Sequence, residues 1–145
     1  MDSESIRKQL VDLPFFHSLD VGVRNVLAQV IQSVSKFDSV PAGTVLFKKG
    51  SQGADVGCIV LSGEIRIQKP EAPEIITSAP ELLGEMKQVN PDAQRTATVD
   101  AQTDLEILKF KWDAFNTGIQ NALSESDAQA VKQAIHDYAW QHISE

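Results

Sequence analysis

A chain of 145 residues can bury roughly 70% of its unfolded surface, so one domain with a real core is the default expectation. Thirteen Lys and Arg against twenty Asp and Glu leave a net charge of −7, which repels phosphate backbones and anionic bilayers and excludes non-specific nucleic-acid binding. No apolar run reaches the ~20 residues of a bilayer span, no apolar stretch follows Met1, and the single cysteine, Cys58, excludes an internal disulfide and a multi-cysteine zinc site; these traits fit a cytoplasmic protein.

Residues 1–40 read as a helical segment. Ile6, Leu10 and Leu13 recur at i, i+4 and i+7, and Pro14 stops that helix before the apolar pair Phe15-Phe16. Ser18 is the expected cap of a second helix, on which Val23, Val26, Leu27, Val30 and Val34 form a core-facing stripe. At Pro41-Ala42-Gly43 the pattern changes to short apolar runs between turn residues: Val45-Leu46-Phe47, Cys58 to Leu61, Ile65-Arg66-Ile67, Ala97-Thr98-Val99 and the alternating Leu105 to Phe110. Residues 41–115 therefore read as a small sandwich or jelly roll. The remainder, 116–145, is expected to hold a hinge and a helix capped at Ser124 or Ser126, with Val131, Ile135, Tyr138 and His142 on one stripe. Tyr138 reads as a core residue, with stacking on a ligand as the alternative; Trp140 lies off the stripe and reads as a partner contact or an exposed side chain.

The stretch from Leu82 to Val99 carries the chemistry. Gly84 lets the backbone approach a ligand closely, and a short helical turn opening at Glu85, Met86 and Lys87 would aim free amides at an anion. Arg95 follows, with a guanidinium able to grip two oxygens of one phosphate. A carboxylate at Glu85 beside an anion makes sense only when the same ligand offers a hydroxyl, as a ribose with a cyclised 3′,5′-phosphate does.

Here the chain resembles the cyclic-nucleotide-binding domains of cAMP-dependent kinase regulatory subunits, catabolite-activator-type regulators and cyclic-nucleotide-gated channels. Gly84-Glu85, nine intervening residues and Arg95-Thr96-Ala97-Thr98-Val99 look like that family's phosphate-binding cassette. Gly43 to Gly50, the Gly53-Ala54-Asp55 turn and the Leu61 to Ile65 corner look like its first hairpins, and Leu108 and Phe115 sit where its last strand leads into closing helices. The resemblance implies a mainly β fold with flanking helices: an antiparallel β-roll or jelly roll (double-stranded β-helix), N-terminal helices and a C-terminal lid helix, all one domain with the cassette at 82–99. It further implies that Glu85 accepts from the ribose 2′-hydroxyl and Arg95 pairs with the exocyclic phosphate oxygens. Amides of Met86, Lys87 and Thr96 or Ala97 would donate to the phosphate, with Leu83 and Met86 near the sugar, the base or the closing helix. A hydroxyl at Thr96 can reach the amino group of a syn guanine, a phosphate or a syn adenine; cAMP is the reading adopted and cGMP its alternative. Lys87 stands where the family has a small residue and Gln94 where Pro often precedes the arginine, but neither removes the Glu85–Arg95 pair.

The functional expectation is an allosteric module without catalysis that orders its cassette on binding and moves its C-terminal helix, hinging near Asn121 to Ser126, to regulate an attached or partner activity. A nucleotide-free roll serving as an interaction or dimerisation module is the alternative from another class. The histidines, His17, His136 and His142, lack the i, i+4 spacing of helical metal ligands, so no metal is expected, and no nucleophile elbow or Walker loop occurs. No direct nucleic acid or membrane span is expected, a homodimer is compatible with the sequence, and the end at Glu145 reads as a piece of a longer protein or an adaptor.

Overall fold

The computed structural model describes residues 2–48, 55–69, 72–84 and 97–143, with the side chains of 139–143 left aside. The chain falls into two packing units, Met1–Lys36 with Phe110–Glu145 and Phe37–Lys109. Among the described residues the elements are α1 (Ser3–Val11), a 3₁₀ turn (Pro14–Phe16), α2 (Val21–Val34), strands β1 (Lys36–Val40), β2 (Val45–Phe47), β3 (Val56–Ser62), β4 (Glu64–Gln68), β5 (Ile75–Ser78), β6 (Glu81–Leu83), β7 (Thr98–Ala101) and β8 (Leu105–Lys111), then α3 (Trp112–Ala122) and α4 (Glu125–Ile143).

In the helical unit, α1 buries Ile6 and Leu10 as its periodicity requires, and Asp2 caps it by accepting from the Ser5 amide at 2.7 Å. The second helix is capped by Asp20 and not by Ser18: residues 17–20 are still turning out of the 3₁₀ segment, and Asp20, in extended conformation, accepts from the Val23 amide at 3.0 Å. Val23, Leu27 and Val30 are buried as expected, joined by Ala28 and Ile31. Helix α3 crosses α2 at Gly118, where an added Cβ would lie 2.7 Å from Val30 Cγ1. Phe110, Trp112 and Phe115 form an aromatic cluster with ring centroids 4.9–5.5 Å apart. The last helix is capped at Ser124, whose hydroxyl accepts from the Asp127 amide at 3.2 Å, and it buries Ala128, Val131, Ala134 and Ile135.

The second unit is the β-roll: two four-stranded sheets, ordered β1-β8-β3-β6 and β2-β7-β4-β5. The first strand begins at Lys36, inside the stretch that reads as helical, and α3 begins at Trp112, inside the stretch that reads as strand. β3 is a central strand and is buried continuously from Gly57 to Leu61. Between the sheets lies a core of Val40, Cys58, Val60, Ile65, Leu83, Val99, Ala101, Leu105 and Ile107.

Among the short corners at which the chain passes from one sheet to the other are 41–44, 62–64 and 102–104, and these three are knitted together. The Ala42 amide donates to Asp104 Oδ1 at 2.9 Å, the Gly43 amide to the Ala101 carbonyl at 2.8 Å, and the Gln102 amide to the Glu64 carbonyl at 2.9 Å. Gly63 (φ 102°) lies so tightly beneath the third corner that a Cβ there would approach the Asp104 carbonyl oxygen to 2.5 Å. One end of the roll is thus held by these hydrogen bonds, and the chain leaves β2 after Phe47, β4 after Gln68 and β6 after Leu83 at the opposite end.

Candidate functional site

Strand registers locate the ends of the cassette. Antiparallel pairing sets Leu83 opposite Cys58, near the start of β3, and Thr98 opposite Gln68, at the end of β4. Both positions lie at the end of the roll away from the three corners. The segment between them therefore leaves the edge strand β6 of one sheet at Gly84 and returns into β7, an interior strand of the other. Gly84 has φ 84°, a conformation in which a side chain costs free energy, and it turns the chain out of β6 one residue before Glu85.

Of the site residues read from the sequence, Leu83, Gly84 and Ala97 are described. Leu83 is 8% exposed and packs in the core cluster with Cys58 and Val99. Gly84 and Ala97 are half-buried. Glu85, Met86, Lys87, Arg95 and Thr96 lie outside the described residues, as do Gly50, Gly53 and Ala54 of the early hairpin.

The structure adds a feature that motif reading missed. Across β2, β7, β4 and β5, pairing aligns Phe47 with Val99, Val99 with Ile67, and Ile67 with Ile75. Ile67 and Val99 share the inner face with buried Ile65 and Ala101, and a register irregularity between Val45 and Phe47 turns Phe47 inward while Val45 stays 54% exposed. Burial falls along this row, from Val99 at 8% exposed to Ile75 at 47%. It is an apolar wall, open at its β5 end, beside the point where the chain returns into β7. Such a wall suits the apolar face of a ring-shaped ligand. The sequence marks only the β5 end of this row, by the β-branched run Ile75-Ile76-Thr77 after Pro73.

On the outer face of the same sheet, Asp100 of β7 faces Arg66 of β4 and accepts a bidentate pair of hydrogen bonds, Nε to Oδ1 at 3.0 Å and Nη2 to Oδ2 at 2.6 Å. These bonds hold the Asp100 carboxyl below the usual carboxylate range, against the opposing effect of its burial. The pair clamps the strand that receives the cassette. Cys58 is inert by comparison: burial pushes its thiol up to about 12.

A cavity of about 500 Å³ opens at the corner end, lined by Ser39, Val40, Pro41, Ser62, Asp104, Leu105 and Glu106. It is a poor place for an anion, because its two carboxylates are held there by the Ala42 amide and the Ser62 hydroxyl. Among the described residues no group of three or more His, Cys, Asp or Glu is placed to hold a metal ion, and no helix is long and apolar enough to cross a membrane.

The profile of the cyclic nucleotide-binding domain matches residues 37–122, more than half of the chain. No curated protein sequence matches significantly. Among solved structures the chain is similar to the Thermus thermophilus catabolite activator protein (TM-score 0.68, 20% identity, 91% of this chain and 59% of that one). It is similar also to the regulatory domain of Toxoplasma gondii PKA solved with cAMP (TM-score 0.67, 18% identity, 93% and 50%). A third likeness is to a structure from work on a cyclic-GMP-dependent signalling pathway that regulates bacterial phytopathogenesis (TM-score 0.66, 19% identity, 81% and 91%). At these identities the likeness is one of fold, and the chain spans only 59% and 50% of the first two proteins.

Proposed function

The chain belongs to the cyclic nucleotide-binding domain family, and on that premise we propose that it is a cytoplasmic cAMP sensor that signals through its C-terminal helix, with cGMP as the alternative nucleotide. The observation that supports this most is the placement of the cassette's ends. The chain leaves one sheet at Leu83-Gly84 and returns into the other at Ala97-Thr98, both at the end of the roll away from the corners and beside the open apolar row. The family's cassette spans that interval. In this reading Arg95 neutralises the cyclic phosphate, amides of Met86, Lys87 and Thr96 or Ala97 complete its hydrogen bonds, and Glu85 accepts from the ribose 2′-hydroxyl. The apolar row meets the base or sugar. Thr96 serves either nucleotide, so its hydroxyl does not choose between them. The module binds and reports, performs no reaction of its own, and regulates an attached or partner activity.

Calorimetric titration with cAMP and cGMP tests the reading. Arg95→Ala should lose ~2–4 kcal/mol of binding, a desolvated phosphate having lost its charge-assisted partner, or roughly 30- to 1,000-fold in affinity. Unchanged binding in that variant would overturn the site. Absence of any rise in Tm with millimolar nucleotide would overturn the sensor reading itself, leaving the roll as a ligand-free interaction module.

A further inference from the structure

We propose that Lys109 is a second cation of the nucleotide site, reaching the cyclic phosphate from the inner face of β8 at the cassette end of the roll. This rests on the sensor reading above and adds to it a binding residue that lies outside the cassette.

β8 runs away from the corner at 102–104, so its side chains can be placed in order along the roll. Leu105 and Ile107 belong to the core between the sheets and are 2% and 0% exposed. Side chains of a strand alternate between its two faces, which sets Lys109 on the same inner face, yet Lys109 is exposed. The space between the sheets is therefore filled as far as Ile107 and opens at the next inward position. That opening lies at the cassette end. β8 is hydrogen-bonded to β3, and Cys58, near the start of β3, pairs with Leu83, the residue before Gly84. Burial pushes the Cys58 thiol up and the charge of Lys109 opposes that effect, so the ammonium lies within electrostatic reach of Cys58.

Two strand spacings, ~10 Å, separate β8 from β6, and the flexible four-carbon stem of a lysine carries its charge across much of that interval. No carboxylate among the described residues pairs with Lys109, Asp38 of the neighbouring β1 included. The other sheet brings the apolar row to the same end, with Val99 in the core cluster that holds Cys58 and with Phe47 and Ile67 packed against it. The opening thus has one apolar wall and one cation, and low-dielectric walls concentrate the field of a charge held between them. In a cyclic nucleotide at neutral pH the phosphate is charged, while the sugar and the base are not. A point charge such as an ammonium therefore selects the phosphate and adds affinity without choosing between the bases.

Calorimetry on the full chain tests this with Lys109→Met, which keeps the stem and removes the charge, and Lys109→Arg, which keeps the charge. At ~0.1 M salt Lys109→Met should bind cAMP and cGMP each about three- to tenfold more weakly, a loss between that of an exposed ion pair and a charge-assisted hydrogen bond. The ratio between the two nucleotides should not change. Lys109→Arg should stay within about twofold of the parent. Raising the salt to ~1 M shortens the Debye length to ~3 Å and should close most of the gap between Lys109→Met and the parent. Urea unfolding should give the same stability for both, and Lys109→Gln carries the same expectations should Lys109→Met fail to fold. Unchanged affinity in Lys109→Met, or a loss that salt does not diminish, refutes the proposal. A loss confined to one nucleotide puts the ammonium on the base and refutes the phosphate contact. If the parent binds neither nucleotide, the sensor reading fails and Lys109 falls with it; the parent titration alone tells the two failures apart.

Discussion

Two glycines with nearly the same backbone conformation separate the role of the cassette hinge from its conformational cost. Gly84 has φ 84° and Gly43 has φ 89°. An L side chain in that region costs ~1–2 kcal/mol, part of which is offset because alanine also restricts the unfolded chain by ~0.4–1 kcal/mol. Nothing lies within 4 Å of a Cβ built on Gly43, so Gly43→Ala should lose about 1 kcal/mol through the backbone alone. Gly84→Ala carries the same backbone penalty. The two differ in place: Gly43 belongs to a corner turn, and Gly84 hands the chain from β6 to Glu85. A shift there misdirects the carboxylate that the sensor reading assigns to the ribose hydroxyl, and a hydrogen bond to a charged group is worth ~1.5–3 kcal/mol. Gly84→Ala should therefore bind cyclic nucleotide about 10- to 100-fold more weakly, while Gly43→Ala binds as the parent does. Urea unfolding supplies the stability arm and calorimetry the binding arm. Equal affinity in the two variants would refute the assignment of Gly84 as the hinge. A Gly43→Ala chain as stable as the parent would refute the backbone argument on which the comparison stands.

Three further outcomes are expected. Gly118→Ala gains ~1 kcal/mol of helix propensity but drives a methyl to 2.7 Å from Val30 Cγ1, an overpacking cost of ~1–3 kcal/mol; urea unfolding should show a net loss that Val30→Ala relieves, and a stabilised single variant would contradict the packing. Because hydrogen bonds from Arg66 depress the folded-state pKa of Asp100, its contribution is complete above the ordinary value of 3.8 and is lost as pH falls through the folded pKa. Asp100→Asn should therefore destabilise the chain at pH 7, with the difference from the parent shrinking in acid; a pH-independent difference would count against the ion pair. Cys58, 1% exposed with its thiol raised to about 12, should react with a thiol reagent at pH 8 only as the chain unfolds, and rapid native-state labelling would contradict its burial.

The sequence announces an element when its side chains alternate or recur strongly enough to outweigh its surroundings. β3, β4 and β8 do so through Cys58 to Leu61, Ile65 to Ile67 and Leu105 to Phe110. β1 does not, because four of its five residues are exposed and Lys36-Phe37-Asp38-Ser39 follows an amphipathic helix with only Ser35, and no Gly or Pro, between. The boundary at Trp112 was equally silent: Lys111 sits at the N-cap without a side-chain hydrogen bond to the helix, so no capping residue marks where β8 ends. The same contrast holds at the site. Glycine, carboxylate and arginine at fixed spacing stand out in the sequence because the sensor reading gives each a chemical reason to be there, although Glu85 and Arg95 lie outside the described residues. The row from Phe47 to Ile75 does not, since it is assembled by register across four strands and no stretch of chain contains it.

That topology also reconciles the net charge of −7 with an anionic ligand. Several carboxylates are committed to structure: Asp2 and Asp20 cap helices, Asp100 is clamped by Arg66, Asp104 takes the Ala42 amide and Glu106 the Ser62 hydroxyl. The last two sit at the corner end. Leu83 pairs with Cys58, and Ser62 ends the same strand four residues later, which at ~3.3 Å per residue is ~13 Å. The Debye length at physiological salt is ~8 Å, so the corner carboxylates are largely screened from the cassette. Leu83, Gly84, Ala97 and Thr98, where the roll frames the cassette, carry no charge. A chain that repels an extended polyanion can therefore still hold one small phosphate if Arg95 and a few amides meet it, and the strand registers set both ends of the segment that carries them, Leu83 and Thr98, at the end of the roll away from the corner carboxylates.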